Sequence, residues 1–201
     1  MTPAAAPLPS AEVFDRYLTV LARSLAGVAV TDLSGAVVPA AEAIARSGAI
    51  ARSTHQGGNT VIFIGNGGSA GIASHVAIDY SKNGGIRSMA FNDGAALTCL
   101  GNDLGFENVF AKQIEFHGRS GDLLVAISSS GRSPDILRAV EAARARGIRV
   151  ITLSGFGTDN PLRRLGDLNF YIASGEYGFV EISHLALCHA VLDLAMGWTG
   201  A

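Results

Sequence analysis

Two short turns and two helical segments carry the polar groups that could do chemistry. Gly65-Asn66-Gly67-Gly68-Ser69 follows the apolar run Val61-Ile62-Phe63-Ile64, and Ser128-Ser129-Ser130-Gly131-Arg132-Ser133 follows Leu123 to Ile127. Small residues at a strand-to-helix turn let backbone N–H groups approach an anion, and the start of the helix adds a favourable dipole. Such turns suit a phosphate monoester or a sugar hydroxyl. The hydroxyls of the second turn can donate several hydrogen bonds with little positive charge, and Arg132 can add some. Each turn also has a plainer use, as a tight turn or a helix cap. Finding two of them behind two strands favours binding, because open α/β sheets place ligands at the carboxyl ends of their strands.

The second set of groups is suited to proton transfer or metal binding. His75 and Asp79 are four residues apart, so on a helix they share one face. Glu181, His184 and His189 lie among Leu185, Leu187, Val191 and Leu192 near the end of the chain. A lone histidine on such an apolar helix is ordinarily a core residue, but two helices each bringing an acid and a histidine favour a site. Glu181 pairs more easily with His184 than with His189, whose separation corresponds to about 12 Å of helical rise. Gly65, Gly67 and Ala70 also satisfy a loose dinucleotide-binding pattern. The acidic ribose ligand expected about 20 residues further on is missing, so a nicotinamide-dependent enzyme is a weak rival.

The elements that must position these groups are readable in outline. Val61–Ile64, Leu123–Ile127 and Arg149–Leu153 read as strands buried on both faces, hence parallel with crossover helices; Ser88–Phe91 and Leu168–Ile172 are shorter candidates. Helices are expected from Ser10 as N-cap, over Ala40–Arg52, from about Ala70, over Asp135–Arg146 and from about Gly178 to Trp198. A chain of 201 residues with 48% hydrophobic and 16% charged residues suits one α/β domain over residues 10–201, after a flexible tail at 1–9 rich in proline. The formal charge of −2 gives no long-range attraction for nucleic acid or an anionic membrane. No secretory leader pattern and no uninterrupted apolar run of about 18 residues is seen, and Cys99 and Cys188 read as core thiols; a cytoplasmic setting is expected.

Taken in order, Gly65–Ser69, His75, Asp79, Gly101-Asn102-Asp103, Ser128–Ser133, Glu181 and His189 resemble the phosphoheptose isomerase branch of the SIS fold. The resemblance runs from about residue 60 to the end, preceded by two helices. It implies a three-layer α-β-α sandwich around a central parallel sheet. It also implies an aldose–ketose isomerase that converts sedoheptulose 7-phosphate through an enediol, in nucleotide-activated heptose biosynthesis. By the same resemblance Ser128, Ser129, Ser130 and Ser133 hold the phosphate, while Asn66, Gly67, Ser69 and Asp103 meet the sugar. His75, Asp79, Glu181 and His189 surround a zinc ion (Zn2+), and Asp79 and His189 transfer protons. The assembly implied is a homotetramer with sites near subunit interfaces, and the amphipathic face of Val13, Tyr17 and Leu21 suits it.

Two positions depart from the family pattern. Asp79 stands for a glutamate, shortening the reach of the carboxylate by about 1.5 Å. Glu181 stands for a glutamine, so the longer carboxylate is a rival base, and the added charge should hold a divalent cation more firmly. A non-catalytic SIS module that binds a sugar phosphate or a protein, or an isomerase of another ketose phosphate, are the alternatives. Asp103 is equally readable as a turn residue.

Overall fold

A computed structural model describes residues 10–200 of the chain; the tail expected at 1–9 lies outside the described residues. Six strands form one sheet in the order β1-β6-β5-β4-β2-β3. They are β1 (Ala29–Asp32), β2 (Val61–Gly65), β3 (Ser88–Ala90), β4 (Leu123–Ser128), β5 (Arg149–Ser154) and β6 (Leu168–Tyr171). Every pairing is parallel except that of β1, which runs antiparallel to β6 with Ala29 opposite Tyr171. The expected parallel sheet therefore has one reversed edge strand.

The strands are apolar on both faces because helices cover both. Val61, Phe63, Leu123, Val125 and Ile127 join one core cluster with residues of α2 (Ala40–Gln56), α3 (Gly68–Lys82) and α7 (Tyr177–Ala195). Ile62, Ile64, Leu124 and Ala126 point the other way, into a cluster with α5 (Val109–His117) and α6 (Pro134–Ala145). This is the two-residue period of a strand read out as three layers. Each such buried Val, Ile, Leu or Phe contributes about 1.5–3 kcal/mol.

The remaining helices are α1 (Ala11–Ala26) and α4 (Gly94–Leu104). Ser10 caps α1 by accepting from the Val13 N–H, as its position in the sequence predicts. No residue of α1 is buried; it rests on α7, where the Tyr17 and Phe179 rings lie 4.7 Å apart. Helix α7 is long and apolar enough to span a membrane by length and composition alone. Here it packs against α1, α2, α3 and β5 as a core helix.

Three local expectations are corrected. Gly101-Asn102-Asp103 is not a turn but the end of α4. Cys99 is exposed, because α4 buries none of its residues, and only Cys188 is a core thiol; burial pushes its pKa up to about 12. The helix after the first turn begins at Gly68, two residues ahead of Ala70.

Candidate active site

After β2 the chain proceeds to β3 on one side, and after β4 it proceeds to β5 and β6 on the other. The crevice at such a switch point is where doubly wound sheets bind ligands. Both turns lie there, and they wall a cavity of about 240 Å³ lined by Asn66, Gly67, Gly68, Ser69, Ile127–Ser130, Ser133, Tyr177 and Glu181. The structure thus brings together seven of the eight substrate-binding candidates. Asp103 is the exception; it is exposed on α4, accepting hydrogen bonds from Asn102 Nδ2 and the Cys99 thiol.

The geometry of the first turn depends on glycine at two close approaches. A Cβ on Gly65 would come within 2.6–2.7 Å of Ser69, whose backbone crosses over the end of β2. A Cβ on Gly68 would collide with the Glu181 carboxylate, which lies against the first residue of α3. A carboxylate there is favoured by the positive end of the helix dipole.

In the second turn, Ser133 is the N-cap residue of α6 but makes no capping bond. Its hydroxyl lies 3.2 Å from the Ser128 hydroxyl, which accepts from the Gly131 N–H, and the Ser130 hydroxyl accepts from the Arg132 N–H. Among the described residues, the buried Ser129 hydroxyl has no partner. Arg132 faces outward and is already paired with Asp159 at 2.7 Å, so its charge is committed.

Some distance along the same two helices is a second cluster. His75 Nε2 lies 3.2 Å from both His189 Nε2 and Asp79 Oδ2, and His189 Nδ1 is 3.8 Å from Asp79 Oδ2. Among the described residues, these three form a group that could hold a metal ion; Glu181 is not part of it. The contact of Gly68 with Glu181, and that of His75 with His189 further along both chains, set α3 and α7 running side by side in one direction. Glu181 is therefore at the cavity end of the helix pair and His189 about 12 Å beyond it. His184, the easier partner of Glu181 by spacing, is fully buried instead, donating from Nε2 to the Ser154 carbonyl. Burial lowers its pKa to about 4, partly offset by that bond.

Two residues of the site were not singled out by sequence reasoning. Tyr177 lines the cavity one turn before Glu181 and packs edge-on against Phe156. Asp135, buried in the first turn of α6, accepts from Asn66 Nδ2 at 3.1 Å across the switch point. Its only sequence signal is an acid at a helix start, which ordinarily marks a dipole preference.

A six-stranded sheet with helices on both faces and a glycine turn and a serine turn at its switch point defines the class, and residues 28–155 match the family model of the SIS domain. A protein of Rhodospirillum rubrum described as phosphoheptose isomerase is 36% identical over 160 residues, covering 77% of this chain and 85% of the relative. One of Bradyrhizobium sp. (strain ORS 278) with the same description is 38% identical over 182 residues, covering 86% and 88%. The solved structure of the phosphoheptose isomerase GmhA from Neisseria gonorrhoeae superposes with a TM-score of 0.80 at 28% identity, covering 93% of this chain and 98% of that one. The chain belongs to the phosphoheptose isomerase family.

Proposed function

We propose that the chain isomerises sedoheptulose 7-phosphate to a D-glycero-manno-heptose 7-phosphate through an enediol, in the biosynthesis of nucleotide-activated heptose. The cavity carries this reading, since a serine turn, a glycine turn and one carboxylate wall the same space. Ser128, Ser129, Ser130 and Ser133 take the phosphate, and Asn66, Gly67 and Ser69 take sugar hydroxyls. Moving a proton between adjacent carbons needs a base, an acid and a polarised carbonyl. Glu181 is the base we assign, because it is the carboxylate in the cavity wall, whereas Asp79 is held against His75. The family pattern assigns the second proton transfer to His189, which has Asp79 beside its ring and lies about 12 Å of helical rise beyond Glu181.

The cluster of His75, Asp79 and His189 suits zinc. A tetrahedral ion with bonds of about 2.0–2.1 Å sets its ligand atoms about 3.3 Å apart, and two of the three separations here are 3.2 Å. When bound, zinc supplies Lewis-acid polarisation of a carbonyl oxygen. We read residues 10–201 as one SIS domain acting in the cytoplasm as a homotetramer with sites near its interfaces. The exposed side chains of Val13, Phe14, Tyr17 and Leu18 on α1 support assembly; a clean monomer by light scattering at micromolar concentration would remove that part.

The deciding experiment is incubation with sedoheptulose 7-phosphate in deuterated water. Products are resolved by NMR, and deuterium beside the carbonyl is detected by mass spectrometry. Conversion by the parent, near-loss in Glu181→Gln and retained turnover in Asp79→Asn support the assignment. The reverse pattern makes Asp79 the base. Binding without conversion makes the chain a non-catalytic SIS module.

A further inference from the structure

We infer that Asp135 is a positioning residue, which holds the Asn66 amide with its nitrogen turned away from the cavity and its oxygen presented to the sugar. The proposal rests on the isomerase reading above. Asp135 is 2% exposed. Asn66, which lines the cavity, donates from Nδ2 to Asp135 Oδ1 at 3.1 Å. An ionised carboxylate has only acceptors, whereas an amide has a donor end and an acceptor end of nearly equal size. An acceptor-only partner therefore fixes which end of Asn66 faces the ligand, leaving an acceptor for a sugar hydroxyl. Asparagine at position 135 could satisfy either orientation and would fix neither.

The bond also joins elements that the sheet topology separates. Asn66 follows β2, from which the chain turns toward β3, and Asp135 lies in the first turn of α6 on the way to β5. Apart from the β2–β4 ladder, this bond ties the two ligand turns across the crevice. Among the described residues, the other carboxylate oxygen, Oδ2, is buried without a protein partner, which costs stability. Burial raises the pKa of Asp135, opposed by the bond from Asn66 and by the N–H groups of Ile136 and Asp135 itself.

The test is a double-mutant cycle on Asn66→Ala and Asp135→Asn, read by kcat/KM for sedoheptulose 7-phosphate, by thermal melting and by the ¹H–¹⁵N signals of the Asn66 side-chain NH2. Those signals are identified by their loss in Asn66→Ala. Asp135→Asn should lower kcat/KM roughly ten- to hundredfold, the worth of one charge-assisted hydrogen bond. It should leave the melting temperature unchanged or raised, shift the Asn66 NH2 signals, and add nothing to the loss in Asn66→Ala. Parent kcat/KM in Asp135→Asn, unshifted signals, or losses that multiply would overturn the proposal, as would a melting temperature that falls in step with activity. If the parent converts no sugar phosphate, the isomerase reading fails separately. The amide signals then decide the pair, a shift upholding the fixed orientation and no shift overturning it.

Discussion

His75 Nε2 and His189 Nε2 lie 3.2 Å apart although 114 residues of sequence separate them. Two imidazole nitrogens this close can serve a single cation as ligands. With Asp79 beside both rings, loss of either histidine opens the cluster. Elemental analysis should find about one zinc per chain in the parent, lost in His75→Ala and His189→Ala and after chelation. His189→Ala should also lower kcat by about 10²–10⁴-fold with the melting temperature of the chelated protein unchanged. Loss of stability in step with activity would return His189 to a packing role.

Gly68→Ala isolates the placement of Glu181. The atoms nearest the added methyl group are at the far end of the Glu181 side chain, which can swing aside. Alanine is otherwise favoured over glycine in a helix, by at most about 1 kcal/mol at this first position. The variant should melt at or above the parent temperature yet lose most of its turnover. Full activity in a well-folded Gly68→Ala would show that Glu181 works from another position.

Phosphate affinity should follow the serine turn. Because Ser133 caps nothing and Ser130 accepts only from the Arg132 N–H, both hydroxyls remain able to donate. Ser130→Ala and Ser133→Ala should each weaken binding of a phosphorylated sugar by about 1.5–3 kcal/mol, less where water substitutes. Calorimetry giving parent affinity for both variants would place the phosphate elsewhere.

His184 gives the fold a pH dependence separate from catalysis. Its pKa falls from 6.5 to about 4 on burial, so between these values the folded chain stays neutral at His184 while the unfolded chain takes up a proton. The stability it contributes is complete above about pH 6.5 and is lost progressively as pH falls toward about 4, to a total on the order of 3 kcal/mol. Urea unfolding at a series of pH values should show this slope in the parent. His184→Gln, which retains a donor for the Ser154 carbonyl, should flatten it; equal slopes would refute the assignment.

Much of this architecture is legible in the residues. Val61–Ile64, Leu123–Ile127 and Arg149–Leu153 are recognisable because strands covered on both faces read as unbroken apolar runs. Strand β1, Ala-Val-Thr-Asp, escapes that test, being four residues long and half exposed. Its partner, not its composition, makes it a strand. Cys99 misleads for a related reason, since its apolar neighbours lie on a helix with no buried residue. Spacing also pairs His75 with Asp79 correctly along α3. It fails for Glu181, because whether a side chain on α7 meets Gly68 or His75 depends on how far along α3 the two helices touch. Asp135 is hidden by its ordinariness: the sequence cannot tell an acid that faces solvent in a first helical turn from one buried against Asn66.

The antiparallel edge strand sets an order of assembly during synthesis. Ala29 pairs with Tyr171, roughly 140 residues downstream. At a translation rate of about 5–20 residues per second, β1 waits roughly seven to thirty seconds for its partner to be synthesised. Helix α7, which covers one face of the sheet and carries Glu181 and His189, follows β6 and arrives later still. Until then the apolar faces of α2 and α3 lack their cover, so a nascent chain stalled before Tyr177 would be a natural client for a chaperone that holds exposed hydrophobic surface.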